Sequence, residues 1–410
     1  MAVPFEIYYP IVRAKLQQNA IAVARWTLLS AVTLAALLIW SVAVGNKMPK
    51  LPIAMGEELP NQQERIDMFI KDTRNLLISS YNKFSMKRYT KVGNLDDKQI
   101  AILNKKLNPS LIKLIRHHWP LDEYDGPVTV KPWSHLMRQV SRVSARIFHS
   151  SDAAEDDHWL DIASEHVHST VVWTENLKKW PAMLRPWVYR FVQGRGIMTQ
   201  RFAEGEAVSM ASTVTQCLMD LATYPHYLPE LREEITSMLA RKNGVLDRQS
   251  LADMMKLDSF IKETQRLNPP DLASFQRKVM SDITLSNGLR IPKGARIALP
   301  TGAINMDSQF FEDPETFDGF RYYKLRMESE EARKSSQMVT VGKKDLTWGY
   351  GRHACPGRYV AEVAMKLLII EYIVRYDISL PAGIKERPKN IEFEGLVIPD
   401  PNWELIFQSR

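Results

Sequence analysis

A single uncharged, mainly apolar run of 20 residues lies near the N-terminus, at 26–45, between Arg25 and Lys47. As a helix, it would rise about 1.5 Å per residue and span roughly 30 Å, the thickness of the hydrocarbon core of a bilayer. The run therefore predicts a transmembrane helix. A cleaved signal peptide, with small residues at Ala43 and Gly45, and a buried core helix are the alternatives. Positive charges flank both ends, so the pattern does not fix the orientation.

The remaining chain has no second run of this kind, and its apolar residues recur mostly at helical spacing. The pattern predicts helices over 199–223, 229–242, 251–267 and 362–375. Residues 274–299 contain Asn-Gly and Pro-Lys-Gly turns and predict short strands in hairpins. The predicted fold class is therefore mainly α with small β-sheets, in a soluble part that the N-terminal anchor tethers.

Composition excludes a wholly disordered chain, because 45% of the 410 residues are apolar and 25% are charged. The net charge of +7 is spread along the chain, which fits a membrane surface or an acidic protein partner better than nucleic acid. Two cysteines, Cys217 and Cys355, are too few for a disulfide framework and indicate a reducing compartment.

The stretch 348–357 places three glycines around Cys355, and a predicted helix follows it. Backbone N–H groups in such a loop, together with a helix N-terminus, favour a thiolate over a thiol. A thiolate held in this way is a good axial ligand for a haem iron, and the neighbouring Arg352 and His353 can meet haem carboxylates. A buried structural cysteine is the alternative. A zinc site is disfavoured, because no second cysteine is near.

This stretch resembles the haem-binding loop of the cytochrome P450 monooxygenases, whose pattern is Phe-x-x-Gly-x-[Arg/His]-x-Cys-x-Gly. Gly351, His353, Cys355 and Gly357 match the pattern, and Trp348 stands where Phe is usual. The resemblance implies a P450-like fold in which these five residues bind haem b, with Cys355 as the ligand of its iron.

Two further segments occur in the order of the family. Glu263 and Arg266 match its Glu-x-x-Arg helix signature, and 314–321 resembles the segment that supplies a second arginine, here Arg321. The resemblance implies that these three charges form one buried network under the haem loop. Residues 330–333 also match Glu-x-x-Arg, but in no fitting context. The alternative for the three charges is a solvated surface.

Arg277 follows the Glu/Arg helix at the start of a predicted strand. The resemblance implies that it binds a haem propionate, and a cation beside a dianionic cofactor is favourable. A surface arginine is the alternative.

The predicted central helix departs from the family pattern Ala/Gly-Gly-x-[Asp/Glu/His]-Thr-[Thr/Ser], in which the acid and the threonine deliver protons during oxygen activation. The aligned residues, 203–208, keep an acid at Glu206 but have Ala207 in place of threonine. Ser209 lies about 200° further round the helix and would face away. A water could replace the hydroxyl. A shifted alignment, or a solvated helix face, is the alternative.

The chain is also shorter than a usual member of the family in two places, around 81–91 and 191–199. A gene model that lost exons and a genuinely truncated protein both explain this. The predicted organisation is a tail (1–25), the transmembrane anchor (26–45), a linker with the remnant of an N-terminal region (46–95) and a haem-thiolate catalytic domain (96–410).

The amino-acid sequences of several stretches resemble those of fungal secondary-metabolism P450s that oxidise terpenoids. The resemblance implies a monooxygenase for a lipophilic small molecule, anchored by one span in the endoplasmic reticulum with its catalytic domain in the cytosol. Electrons would come from NADPH through a membrane-bound reductase docked on a basic face. Candidates for that face are Lys343, Lys344, Arg352 and Arg358. Three alternatives remain: haem chemistry without oxygen activation (rearrangement or dehydration), a truncated inactive member, and a membrane-tethered helical protein without haem.

Overall fold

The computed structural model describes residues 112–113, 115, 126–148, 155–157, 180 and 204–410, apart from 356 and 394. The predicted membrane span and both shortened regions lie outside the described residues. None of the helices within the described residues is both long and apolar enough to cross a bilayer.

Helices hold far more of the described residues than strands do, as the apolar spacing predicts. They are α1 Pro132–Phe148, α2 Glu204–Thr223, α3 Leu228–Arg241, α4 Arg248–Asp253, α5 Met255–Leu267, α6 Thr301–Asn305, α7 Arg321–Glu328, α8 Glu330–Ser335 and α9 Arg358–Arg375. Short 3₁₀ turns lie at Pro225–Tyr227 and Gly351–His353.

The strands are short and form small antiparallel sheets. They are β1 Val128–Val130, β2 Ser274–Lys278, β3 Ile283–Thr284, β4 Arg290–Ile291, β5 Arg296–Leu299, β6 Tyr376–Ser379, β7 Asn390–Phe393, β8 Leu396–Pro399 and β9 Leu405–Ser409. One three-stranded sheet has the order β1-β9-β6, with Val128 and Ile378 both opposite Phe407. The pairs β2-β5, β3-β4 and β7-β8 are hairpin-like two-stranded sheets.

One predicted helix is two helices. The spacing predicts a single helix over 251–267, but the chain leaves helical dihedrals at Met254, with φ −76° and ψ 76°. The shorter helix α4 has its own start, because the Asp247 carboxylate accepts the Ser250 N–H at 2.7 Å and the Ser250 side chain completes a capping box. Met254 itself is fully buried, so the break directs both helices onto the core.

A single apolar core joins helices α1, α2, α3, α5 and α9 to the sheet of β6 and β9. Its fully buried members include Leu136, Leu218, Leu231, Phe260, Leu368 and Phe407. Helix α2 is buried from Met210 to Ala222, which explains why its sequence is apolar on nearly all sides. Helix α9 is buried in the same way, and the segment 336–357 that leads into it carries the candidate site.

Candidate functional site

The loop before α9 is shaped by two glycines in the left-handed region, Gly349 at φ +76° and Gly351 at φ +62°. A Cβ on Gly349 would lie 3.0 Å from the carbonyl oxygen of His353, so a side chain there would be strained in both backbone and space. The loop closes on itself, because the Cys355 N–H donates to the Trp348 carbonyl at 2.6 Å. The glycine spacing thus brings Cys355 back beside Trp348.

Cys355 is half-buried and lies just before the N-terminus of α9. Neither cysteine of the chain is in a disulfide. The Arg358 guanidinium donates to the Cys355 carbonyl at 2.8 Å and stacks on the Tyr359 ring, 4.4 Å from its centroid. A half-buried cysteine just before a helix N-terminus is in an environment that favours thiolate.

The sequence assigns Arg358 to a basic partner-docking face. Arg358 is half-buried and its guanidinium contacts the cysteine loop, and its part in docking stays a prediction. Lys343 and Lys344 are exposed, as a docking face requires. The Arg352 side chain lies outside the described residues.

Strand β2 packs beside this loop and carries Arg277. The Phe275 ring lies 6.3 Å from that of Tyr350, in a small apolar cluster with Leu346. Arg277 is 7% exposed, and its guanidinium stacks on Phe275 at 4.0 Å and donates to the Gln276 carbonyl at 2.9 Å. The structure therefore places a buried cation on the strand that packs against the cysteine loop.

These residues fit a haem group. The donor set is a cysteine sulfur in a glycine loop at a helix N-terminus, which is the ligand type for haem-thiolate iron. The buried Arg277 on a neighbouring strand is a cation of the kind that pairs with haem carboxylates. His353 is half-buried in the 3₁₀ turn, and Gly357 is buried as the N-cap residue of α9.

The structure brings Glu263, Arg266 and Arg321 together. The Glu263 carboxylate accepts two hydrogen bonds from Arg266, both at 2.8 Å, and one from Arg321 Nε at 3.1 Å. Both arginines also donate to backbone carbonyls of the segment 312–316. The Glu263 and Arg266 side chains are 0% and 2% exposed. Three charges on two helices therefore fix the path of the segment that joins them.

Comparisons with known proteins identify the family of the chain. The sequence model of one family, described as Cytochrome P450, matches residues 200–407. Cytochrome P450 monooxygenase BOA4 of Botryotinia fuckeliana is 31% identical over 329 residues, which are 67% of this chain and 66% of BOA4.

The chain belongs to the cytochrome P450 family.

Other relatives agree with this assignment, and one solved structure shares the fold. Ent-kaurene oxidase P450-4 of Gibberella fujikuroi is 29% identical over 86% of this chain and 82% of that protein. The chain thus spans about two thirds to four fifths of the relatives named here. Retinoic acid-bound cyanobacterial CYP120A1 shares the fold, with a TM-score of 0.57, 16% identity and coverage of 79% and 78% of the two chains. The predicted P450 family, its monooxygenase class and the likeness to fungal members are confirmed.

Helix α2, which begins at Glu204, contains most of the stretch 203–208 that the sequence aligns with the family's central helix. Glu206 and Ala207 lie in its first turn, and their side chains fall outside the described residues. Ser209 is exposed. Cys217, further along α2, is fully buried, and burial raises the pKa of its thiol well above the usual range. Cys217 is therefore a small apolar core residue.

This P450 has a second buried charge cluster, which the sequence analysis does not predict. Asp258 of α5 accepts from Lys366 of α9 at 2.6 Å and from Arg326 of α7 at 2.8 Å. All three side chains are less than 5% exposed. The available signal is Lys366 itself, a cation inside the apolar helix sequence AMKLLII. Burial alone would lower the Lys366 pKa, but Asp258 and Glu362 raise it, so the lysine stays charged.

Proposed function

We propose that this P450 inserts one oxygen atom into a C–H bond of a lipophilic, terpenoid-like small molecule. The observation that carries the proposal is Cys355, half-buried in its glycine loop at the start of α9 beside the strand of Arg277. Relatives named ent-kaurene oxidase, including those of Gibberella fujikuroi and Gibberella intermedia, support a terpenoid as substrate.

Haem b, held through a cysteine thiolate that donates electron density to the iron, supplies the oxygen-activating chemistry. Cys355 provides that thiolate, and the loop N–H groups with the N-terminus of α9 keep it deprotonated. Arg277 and His353 would bind the haem carboxylates, while Gly351, Gly357 and Trp348 would contribute to the cofactor's binding surface. Glu263, Arg266 and Arg321 would support the fold around it.

Glu206 is the proton donor of the substrate side in this proposal. It lies in the first turn of α2, and its carboxyl would pass protons through a water that stands where other members have a threonine hydroxyl. Ala207 cannot donate or accept a proton, so the reaction relies on Glu206 and that water.

Ala207 also favours a second candidate, in which the same fold catalyses a rearrangement or dehydration without activating oxygen. Such chemistry needs no positioned hydroxyl at 207. A truncated inactive member is the remaining candidate, and the two shortened stretches of sequence favour it.

Electrons reach the site from NADPH through a membrane-bound reductase in this proposal. Its acidic surface docks beside the exposed Lys343 and Lys344, which precede the cysteine loop. Residues 26–45 anchor the protein in the endoplasmic reticulum by one span, with the catalytic domain in the cytosol.

The experiment that tests the proposal is turnover of the full-length protein with a P450 reductase and a panel of cyclic diterpene hydrocarbons and diterpene alcohols. Product carrying one atom of ¹⁸O from labelled dioxygen, in proportion to the NADPH consumed, supports the monooxygenase. An isomerised or dehydrated product without ¹⁸O supports the second candidate. Haem-loaded protein that converts none of the panel and consumes no NADPH supports the inactive member.

A further inference from the structure

Trp348 is bound to its surroundings at two points. Its indole N–H donates to the Met338 carbonyl at 2.8 Å, and its own carbonyl accepts the Cys355 N–H at 2.6 Å. The side chain that anchors the loop and the backbone group that holds the cysteine therefore belong to one residue. Trp348 therefore links the Met338 carbonyl to the Cys355 N–H.

The acceptor of that indole is itself held in place. Two side chains of helix α5 form hydrogen bonds with the two ends of the peptide group between Gln337 and Met338. Lys262 Nζ donates to the Gln337 carbonyl at 2.7 Å, and Asp258 accepts the Met338 N–H at 2.9 Å. Asp258 and Lys262 are four residues apart and share one face of α5, so a single helix face fixes the peptide. Met338 is only 1% exposed.

The hydrogen bonds from α5 lead to the buried cluster described above. Lys366, which neutralises Asp258, lies on α9, the helix that begins just after Cys355. Lys366 donates to Asp258, which accepts the Met338 N–H. The Met338 carbonyl accepts the Trp348 indole N–H, and the Trp348 carbonyl accepts the Cys355 N–H. Because α9 begins just after Cys355, these contacts form a closed ring. Breaking a buried ion pair is costly, so the Asp258 end of the ring is rigid.

We propose that Trp348 is a positioning residue for Cys355, and that its indole N–H performs this role. A phenylalanine, the usual residue in the family pattern, would fill much of the same space. It would leave the buried Met338 carbonyl without this donor, and an unsatisfied buried acceptor is unfavourable. This inference rests on the proposed ligation of haem iron by Cys355, and it concerns how long the thiolate stays in place.

The test measures how fast the reduced carbon monoxide complex of the full-length, haem-loaded protein loses its thiolate-type Soret band. The net value of one neutral hydrogen bond corresponds to about a three- to tenfold change in a rate or an equilibrium constant. Trp348→Phe should therefore lose the band about three- to tenfold faster than the wild type. Trp403→Phe is the matched control, since Trp403 is half-buried outside the loop, and it should leave the rate unchanged.

A second variant separates the N–H from the ring. Benzothienylalanine at position 348 keeps the size of the indole but replaces its N–H with sulfur. If the benzothienylalanine variant loses the Soret band as fast as Trp348→Phe does, the indole N–H is the group that holds the cysteine. If it matches the wild type, or if the rate for Trp348→Phe equals that for Trp403→Phe, the inference is overturned. Should Trp348→Phe not fold, the benzothienyl variant alone decides. A wild type without any thiolate band would instead overturn the assignment of Cys355.

Discussion

Two arginines in the same local motif have opposite environments. Arg266 and Arg333 each follow a glutamate by three residues on a helix, yet Arg266 is 3% exposed and Arg333 lies on the surface of α8. The motif alone does not distinguish them. The proline pair after α5 and the order of the later segments do, because they place Arg266 where Arg321 can reach Glu263.

Arg266→Ala should fail to accumulate as folded, haem-loaded protein. The substitution leaves the buried Glu263 with one arginine in place of two, and removing one partner of a buried charge network costs about 3–5 kcal/mol, a large part of a domain's stability. Arg333→Ala is the matched control and should express normally. The measurement is haem-loaded yield and melting temperature. A haem-replete, normally stable Arg266→Ala protein would contradict the structural role given to the network.

Asp220 makes the stability of the protein depend on pH. Burial raises the pKa of this carboxyl above its usual value, although Arg387 and Thr264 both favour the charged form. Because the folded state then holds a proton more readily than the unfolded chain, the free energy of unfolding falls as pH rises from the ordinary aspartate range toward the raised pKa.

Asp220→Asn removes this titration. As pH rises through that window, the melting temperature of the wild type should fall relative to that of Asp220→Asn. Because the variant also loses the ion pair with Arg387, the pH trend of the difference is compared and not its absolute size. A difference in melting temperature that stays constant across the window would show that Asp220 keeps one protonation state.

At the scale of elements, sequence patterns predict the presence and approximate bounds of helices well. They predict charge pairs between distant segments poorly. The spacing places α2, α3 and α9 within a few residues, because each buries an apolar face of helical period. It misses the break at Met254, and it misses the capping box of Asp247 and Ser250 that starts α4 at Arg248. It also misses Asp258, whose partners lie on α7 and α9, far along the chain.

Helix α2 gives the prediction that concerns proton delivery. Ala207→Thr should raise the product formed per NADPH consumed, because it restores a hydroxyl beside Glu206, and a positioned proton donor contributes about 10²–10⁴-fold to a step. Glu206→Ala should lower that ratio and raise the peroxide released. The measurement is product and peroxide per NADPH for the three proteins. Unchanged ratios in both variants would mean that this turn of α2 does not line the oxygen site.

At the scale of the whole molecule, the membrane attachment is predicted to be separable from the catalytic domain. Removing residues 1–45 should release the protein from membranes with its haem intact, because one run of 20 residues carries the strongly membrane-like sequence. The measurement is the distribution of haem-loaded protein between membrane and soluble fractions. Loss of haem on truncation would contradict an independent catalytic domain.

The central claim is that Cys355 is the thiolate ligand of a haem iron. The most direct measurement is the Soret band of the reduced carbon monoxide complex for the wild type, Cys355→Ala and Cys217→Ala. The structure predicts a thiolate-type band in the wild type and in Cys217→Ala, since Cys217 is a buried core thiol whose pKa is raised. It predicts no such band in Cys355→Ala. A thiolate-type band that survives in Cys355→Ala and vanishes in Cys217→Ala would contradict the account.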